Sequence, residues 1–224
     1  VADVAQVEIF NTALFLLGQE PVADLSEPSL EGSISATKLM RQVEPSRDVV
    51  LRRHGWLCAL EYVTLAPAIL AGYANWRYPT VYLLPANTLR TWEIEGVAPG
   101  PILDGSDELA GSSCWEPRWQ IGTFEVDDAA RQIIRAQNAD ASLNIAYVRR
   151  ANWASLDAHV ADAIACTLAA RSAFSVTGDR GVAKDLMAQA ESKVLLAISS
   201  DGAQEGGQPP WAGSIPAALR ALSR

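Results

Sequence analysis

Two histidines, three cysteines and 26 carboxylates are the reactive inventory of this 224-residue chain. Their spacing decides what chemistry they could do. His54 lies in Arg52-Arg53-His54-Gly55-Trp56, a run suited to ending a helix with a charged or polar cap. His159 stands beside Asp157 and Asp162 and reads as the solvent face of an amphipathic helix. The chain has no GxSxG elbow, HExxH, Walker loop, GxGxxG or EF-hand pattern. Asp104, Ser106, Asp107 and Glu108 have the look of a calcium loop but lack its spacing and its closing glutamate, so they read as a solvated loop. Asp127-Asp128 and Glu93/Glu95 are paired carboxylates. A glycosidase needs two opposed carboxylates at a fixed separation, and nothing near these pairs would raise one pKa. Cys58, Cys114 and Cys166 are odd in number and widely spaced, with no CxxC. That pattern predicts neither a disulfide framework nor a zinc site, and reduced thiols are the default. Cys166, among Ala and Ile, reads as plain core. The expectation is no enzyme, no metal and no cofactor.

The charge balance points the same way. The chain has 18 basic and 26 acidic residues, a formal net charge of −8. A protein that grips duplex DNA needs Lys and Arg to neutralise phosphates. Arg52-Arg53 and Arg149-Arg150 are too short for such a stripe and read as surface pairs with acidic neighbours. An acidic chain can still be one that DNA merely passes. An apolar share of 49% is that of a globular protein. A domain of this length buries roughly 70% of its unfolded surface, as one large domain or two small ones. No run of 18 apolar residues occurs, so no membrane span is expected. Residues 1–8 carry Asp3 and Glu8 and no basic residue, so no secretory leader is expected there. Seven tryptophans against two methionines are the compositional oddity.

The elements that must carry these residues follow from periodicity. Val7, Phe10, Leu14 and Leu17 form one stripe of an N-terminal helix, with Gly18 as the residue just past its end and Pro21 beyond. Ser33 or Ser35 caps a second helix carrying Leu39, Val43, Val50 and Leu51. Pro45 inside it predicts a bend or two helices meeting there, and His54-Gly55 predicts its end. Residues 56–150 lose helical periodicity. Val63/Leu65, Tyr82/Leu84, Leu89/Trp92/Ile94/Val97, Trp119/Ile121/Phe124/Val126 and Leu143/Ile145/Tyr147 predict short strands. Residues 128–135 fit a strand or a short helix. After Asn152 helix returns, with Leu156, Val160, Ile164 and Leu168 on one stripe among many alanines. Residues 177–181 break it. Val182, Leu186, Ala190, Val194 and Ile198 then form a second long helix. Residues 201–210 are rich in Gly, Gln and Pro and read as flexible, leading to an arm with Trp211, Ile215, Leu219 and Leu222. The expected architecture is α+β: a four-helix antiparallel bundle, a small antiparallel β-region inserted between the second and third helices, and an extended C-terminal arm. The expected divisions are 1–56, 57–150, 151–200 and 201–224.

Three ordered motifs add a family likeness. The first is Asn11-x-x-Leu14-x-x-Leu17-Gly18-x-x-Pro21-Val22. The second is Arg47-Asp48-x-x-Leu51-x-x-His54-x-Trp56-x-x-Ala59. The third is Trp76-x-Tyr78-Pro79-x-x-Tyr82-x-Leu84-Pro85-Ala86-Asn87-x-Leu89-Arg90. Together they resemble the tail tubular protein A family, the head-to-tail adaptors of short-tailed phages. Residues 144–148 resemble the last strand before that family's paired C-terminal helices, and residues 161–170 and 183–199 resemble those helices. The likeness covers residues 5–200. Departures are Pro45, Asn87 where an aspartate is usual, and the Gly/Pro-rich tail.

The resemblance implies a virion protein made in the host bacterium. It implies a homo-oligomeric ring of twelve copies between the portal protein and the tail nozzle protein, with DNA passing through the lumen without sequence-specific binding and no membrane involved. On that reading Leu14, Gly18, Arg47, Leu51, Trp56, Trp76, Tyr82, Pro85 and Arg90 are packing positions, with Trp56 and Trp76 joining bundle to β-region. Trp211, Ile215, Leu219 and Leu222 are expected to contact the portal or a neighbouring subunit, and Asp104, Ser106, Asp107 and Glu108 to face the nozzle. The rival expectation is a glycan-binding or polysaccharide-hydrolysing tail module, which needs Trp76, Trp92, Trp115 and Trp119 exposed as stacking platforms.

Overall fold

A computed structural model describes residues 3–26, 33–69, 74, 78–94, 119–126, 129–136 and 142–204. Trp76, Trp115, Cys114, Asp104, Ser106, Asp107, Glu108, Trp211, Ile215, Leu219 and Leu222 lie outside the described residues. The fold is mixed α/β, with four helices and two small antiparallel sheets among the described residues. It divides into two compact units: a helical unit from residues 3–59 and 150–204, and a β unit from residues 60–149.

Helix α1 (Val4–Leu16) opens on Asp3, whose carboxylate accepts from the Ala5 N–H at 3.2 Å, satisfying a free donor at the helix start. It closes as the stripe predicts. Gly18 has φ +67°, its N–H donates to the Phe15 carbonyl, and the Gln19 N–H donates to the Leu14 carbonyl. This is a Schellman closure, which needs a left-handed residue where L side chains are strained.

Helix α2 (Ile34–Leu51) is capped by Ser33, whose hydroxyl accepts from the Ala36 N–H. It runs through Pro45 as one helix, which overturns the expectation of two helices meeting there. Proline removes the N–H that would bond the Arg41 carbonyl, but Pro45 and Arg41 are both exposed, where water can serve that carbonyl. The helix ends at Leu51, before the expected His54-Gly55 stop.

A short 3-10 turn (Trp153–Ser155) precedes helix α3 (Ala158–Thr177), so helix returns later than Asn152 suggests. Gly178, at φ +73°, ends α3. Helix α4 (Arg180–Gln204) follows at once. It carries Asp201 as a buried helical residue, which overturns the expected flexibility for residues 201–204; residues 205–210 lie outside the described residues.

Helix α3 packs against α1, α2 and α4. It is also the described helix long and apolar enough to cross a membrane by length and composition. Its neighbours account for that apolarity: Val160, Ala163, Ile164, Leu168, Ala169 and Ala173 are buried, and alanines let three helices approach one axis. Polar links give the directions. The Lys38 ammonium donates to the Ser175 carbonyl and Arg171 Nε to Gln42 Oε1, so α2 and α3 run in opposite senses. Lys193 and Asp162, 2.6 Å apart, link α3 to α4.

The β unit holds β1 (Leu60–Leu65), β2 (Thr80–Leu83), β3 (Thr88–Ile94), β4 (Trp119–Val126), β5 (Ala129–Ala136) and β6 (Leu143–Arg149). Residues 129–136 therefore resolve as a strand. One sheet has the order β1-β6-β3, the other β2-β5-β4. Leu65, Ile94, Ile145 and Tyr147 from the first share a core with Tyr82, Leu84, Ile134 and Ala136 from the second. Past β1 the chain turns alongside β2: Ala68 N–H donates to the Val81 carbonyl at 2.7 Å, and Pro67 bridges Tyr82. One strand path thus serves both sheets at a corner.

Gly18→Ala is expected to destabilise the protein by about 1 kcal/mol. A Cβ there meets nothing within 4 Å, so backbone strain alone is responsible. Leu168→Ala, on the buried α3, is expected to cost about 2–5 kcal/mol. Urea unfolding measures both, and equal midpoints for Gly18→Ala and the parent would refute the strain argument.

Candidate functional site

The second motif gathers the buried polar groups of the helical unit. Leu51 and Trp56 are fully buried, and Arg47 is 5% exposed. A buried guanidinium needs partners to offset its lost hydration. Arg47 pairs with Glu44 one turn earlier, lies 3.7 Å from the Asp48 carboxylate, and places its guanidinium carbon 4.6 Å from the Trp153 ring centroid. Asp48 is shared: Arg150 engages both of its carboxylate oxygens. Charge pairing and an aromatic face together hold this cation out of water.

Three residues past α2 the chain makes a second tie. His54, expected as a charged or polar helix cap, is buried. Its Nε2 lies 3.2 Å from Asp201 Oδ2, and its ring meets Trp56 edge-on at 5.0 Å between centroids. The Asp201 carboxylate also accepts from the Leu57 N–H at 3.2 Å, and Trp56 Nε1 donates to the Val50 carbonyl at 3.0 Å. The last turn of α4 is thereby fastened to the segment leaving α2. Asp201 carries no sequence signal, because it sits in a Gly-rich polar stretch 144 residues from the N–H it accepts. Asp3 is the other unforeseen tie: besides capping α1, it accepts from the Ala154 N–H at 3.1 Å.

Among the described residues this geometry fastens chain segments to one another. The Cys58 thiol is pushed up by burial, with the Asp201 and Asp157 carboxylates adding to the rise against backbone hydrogen bonds that oppose it. It is a poor nucleophile on that account. Cys166 is buried and also pushed up by burial. His159 is exposed, as the helical periodicity predicts. Among the described residues no group of three or more His, Cys, Asp or Glu could hold a metal ion.

The remaining motif residues divide between the units. Leu14 is fully buried in α1 and Tyr82 nearly so in β2. Pro85 accepts from the Thr88 N–H in the turn that takes the chain from the second sheet to the first. The Arg90 guanidinium carbon sits 5.6 Å from the Trp92 ring centroid. The paired arginines do meet acidic neighbours: Arg53 with Glu191, Arg149 with Glu61 and Arg150 with Asp48. Trp119 packs on the β core, and Trp92 is only partly exposed, which weighs against both as glycan platforms. Trp56 and Trp153 are buried. No protein-family model matches the chain, and no curated protein matches it.

Tyr147 makes a comparable tie in the β unit. Its hydroxyl donates to Glu61 Oε2 at 2.5 Å, and Arg149 Nε lies 2.9 Å from Glu61 Oε1. Burial, then the Glu61 hydrogen bond and charge, push the phenol up from 10 to about 12. A proton held more tightly in the folded state stabilises it fully below the unfolded pKa and is lost as pH rises through the folded one. Stability is therefore expected to fall between pH 10 and about 12, and Tyr147→Phe to flatten that fall in pH-resolved urea unfolding. Asp201→Ala, which strands the Leu57 N–H, is expected to cost about 2 kcal/mol or more. Arg53→Ala, at a half-exposed pair, is expected to change stability by less than about 1 kcal/mol. Equal losses for the two would refute the distinction.

Proposed function

We propose that this chain is a structural head-to-tail adaptor of a short-tailed phage virion. In this reading twelve copies form a ring between the portal protein and the tail nozzle, and DNA passes through its lumen. The four helices form an antiparallel bundle with the β-region inserted between the second and third. The protein catalyses nothing; its work is geometric, joining one ring to the next around a continuous conduit.

The observation that carries the reading is where the motif residues fall in the fold. Gly18 closes α1, Arg47 and Trp56 tie down the end of α2, and Pro85 turns the chain between sheets. Motifs spent on joints and core, with His54 and Cys166 absorbed into packing, suit a protein whose shape is its function. The net charge of −8 supports the lumen: twelve copies make a strongly negative ring, and an acidic wall lets phosphates slide without sticking. Trp211, Ile215, Leu219 and Leu222 are the proposed portal or neighbour anchors, Trp being favoured in that role. Asp104, Ser106, Asp107 and Glu108 are the proposed nozzle-facing loop.

Size-exclusion chromatography with the portal protein encoded alongside this chain tests the proposal. A stoichiometric complex, visible as an added ring by electron microscopy, is expected. Failure to join an assembled portal would refute it. Deleting residues 205–224 is expected to weaken that complex.

A further inference from the structure

The first β sheet carries a groove that the adaptor reading does not use. Its volume is about 480 Å³, and Tyr62, Thr64, Glu93, Asn144 and Ala146 line it. The register builds it. Tyr62 on β1 and Glu93 on β3 both pair with Ala146 on the central β6, so the smallest of the three side chains is the floor. Strands lie about 4.8 Å apart, which sets Tyr62 and Glu93 roughly 10 Å apart across it. In the next row the Thr64 hydroxyl donates to Asn144 Oδ1, closing one end.

A β-bulge puts the carboxylate there. Thr91 pairs with Tyr147 on the core face, whereas Glu93 pairs with Ala146, and the register shifts between them. With plain alternation Thr91 and Glu93 would share a face. The extra residue, Trp92, turns Glu93 to the outer face, a known use of bulges. Tyr62 is 76% exposed, an unusual position for a large ring.

We infer that this groove receives an arginine side chain of a protein partner, stacked on the Tyr62 ring and paired with the Glu93 carboxylate. Ring face and carboxylate both favour a cation, and the chain's net charge of −8 repels acidic occupants. A planar guanidinium fits both partners better than a compact ammonium does. The helical unit already contains the complete arrangement, with Arg47 over Trp153 and against Glu44. The groove presents the ring and the carboxylate to an arginine from outside. This inference does not rest on the adaptor reading.

The test titrates N-acetyl-Gly-Arg-Gly-amide into the isotope-labelled full chain and follows backbone amides by NMR, beside N-acetyl-Gly-Glu-Gly-amide and maltotriose. Saturable shifts at Tyr62, Thr64 and Ala146 with the arginine peptide alone are expected. Tyr62→Leu and Glu93→Gln are each expected to weaken it about threefold or more while leaving the remaining spectrum unchanged. Absence of saturable shifts, shifts with maltotriose in place of the arginine peptide, or unaltered affinity in both variants would each overturn the inference.

Discussion

An apolar helix buried along most of its length is the constraint around which the helical unit is arranged. Helix α3 buries ten of its residues, and α1, α2 and α4 pack against it. Two of those helices precede the β unit in the chain, and α4 follows α3 directly. The β unit therefore has to leave and re-enter the helical unit by two chain passages, near residues 59–60 and 149–150. Alanine makes this workable, since small side chains let neighbouring helices approach closely without leaving cavities.

Both passages begin next to polar ties. Asp201 fastens the segment leaving α2, and Asp48 fastens Arg150 as the chain returns. Consecutive arginines divide the work, Arg149 pairing with Glu61 in the β unit and Arg150 with Asp48 in the helical unit. The hydrogen bonds to backbone N–H groups matter most, because an unpaired buried donor is costly whatever the charges do.

The β unit follows a different logic. Two three-stranded sheets cannot each bury a face alone, so they share one core. The turn after Pro85 and the corner at Pro67 let a single chain serve both. The bulges of β3 then release its outer face from strict alternation, which is how a carboxylate and an exposed tyrosine come to flank one alanine.

Local rules made several elements legible from the amino acids. The α1 stripe, the Gly18 closure, the Ser33 cap, the Gly178 break and most strands follow from periodicity and from side chains acting within a few residues. Element ends were less legible. Pro45 stays inside α2 because its face is exposed, and α4 outruns its Gly-rich composition because Asp201 is anchored from elsewhere. His54 shows the division most plainly. Its run of arginines and a glycine suggests a charged or polar helix cap, whereas the fold buries it against Trp56 and beside Asp201, which lies far along the chain. Strand order, the bulge that turns Glu93 outward and every buried ion pair depend on residues far apart along the chain. Periodicity reports which face of an element is apolar; only packing decides what meets that face, and a buried polar group is settled by the partner that reaches it.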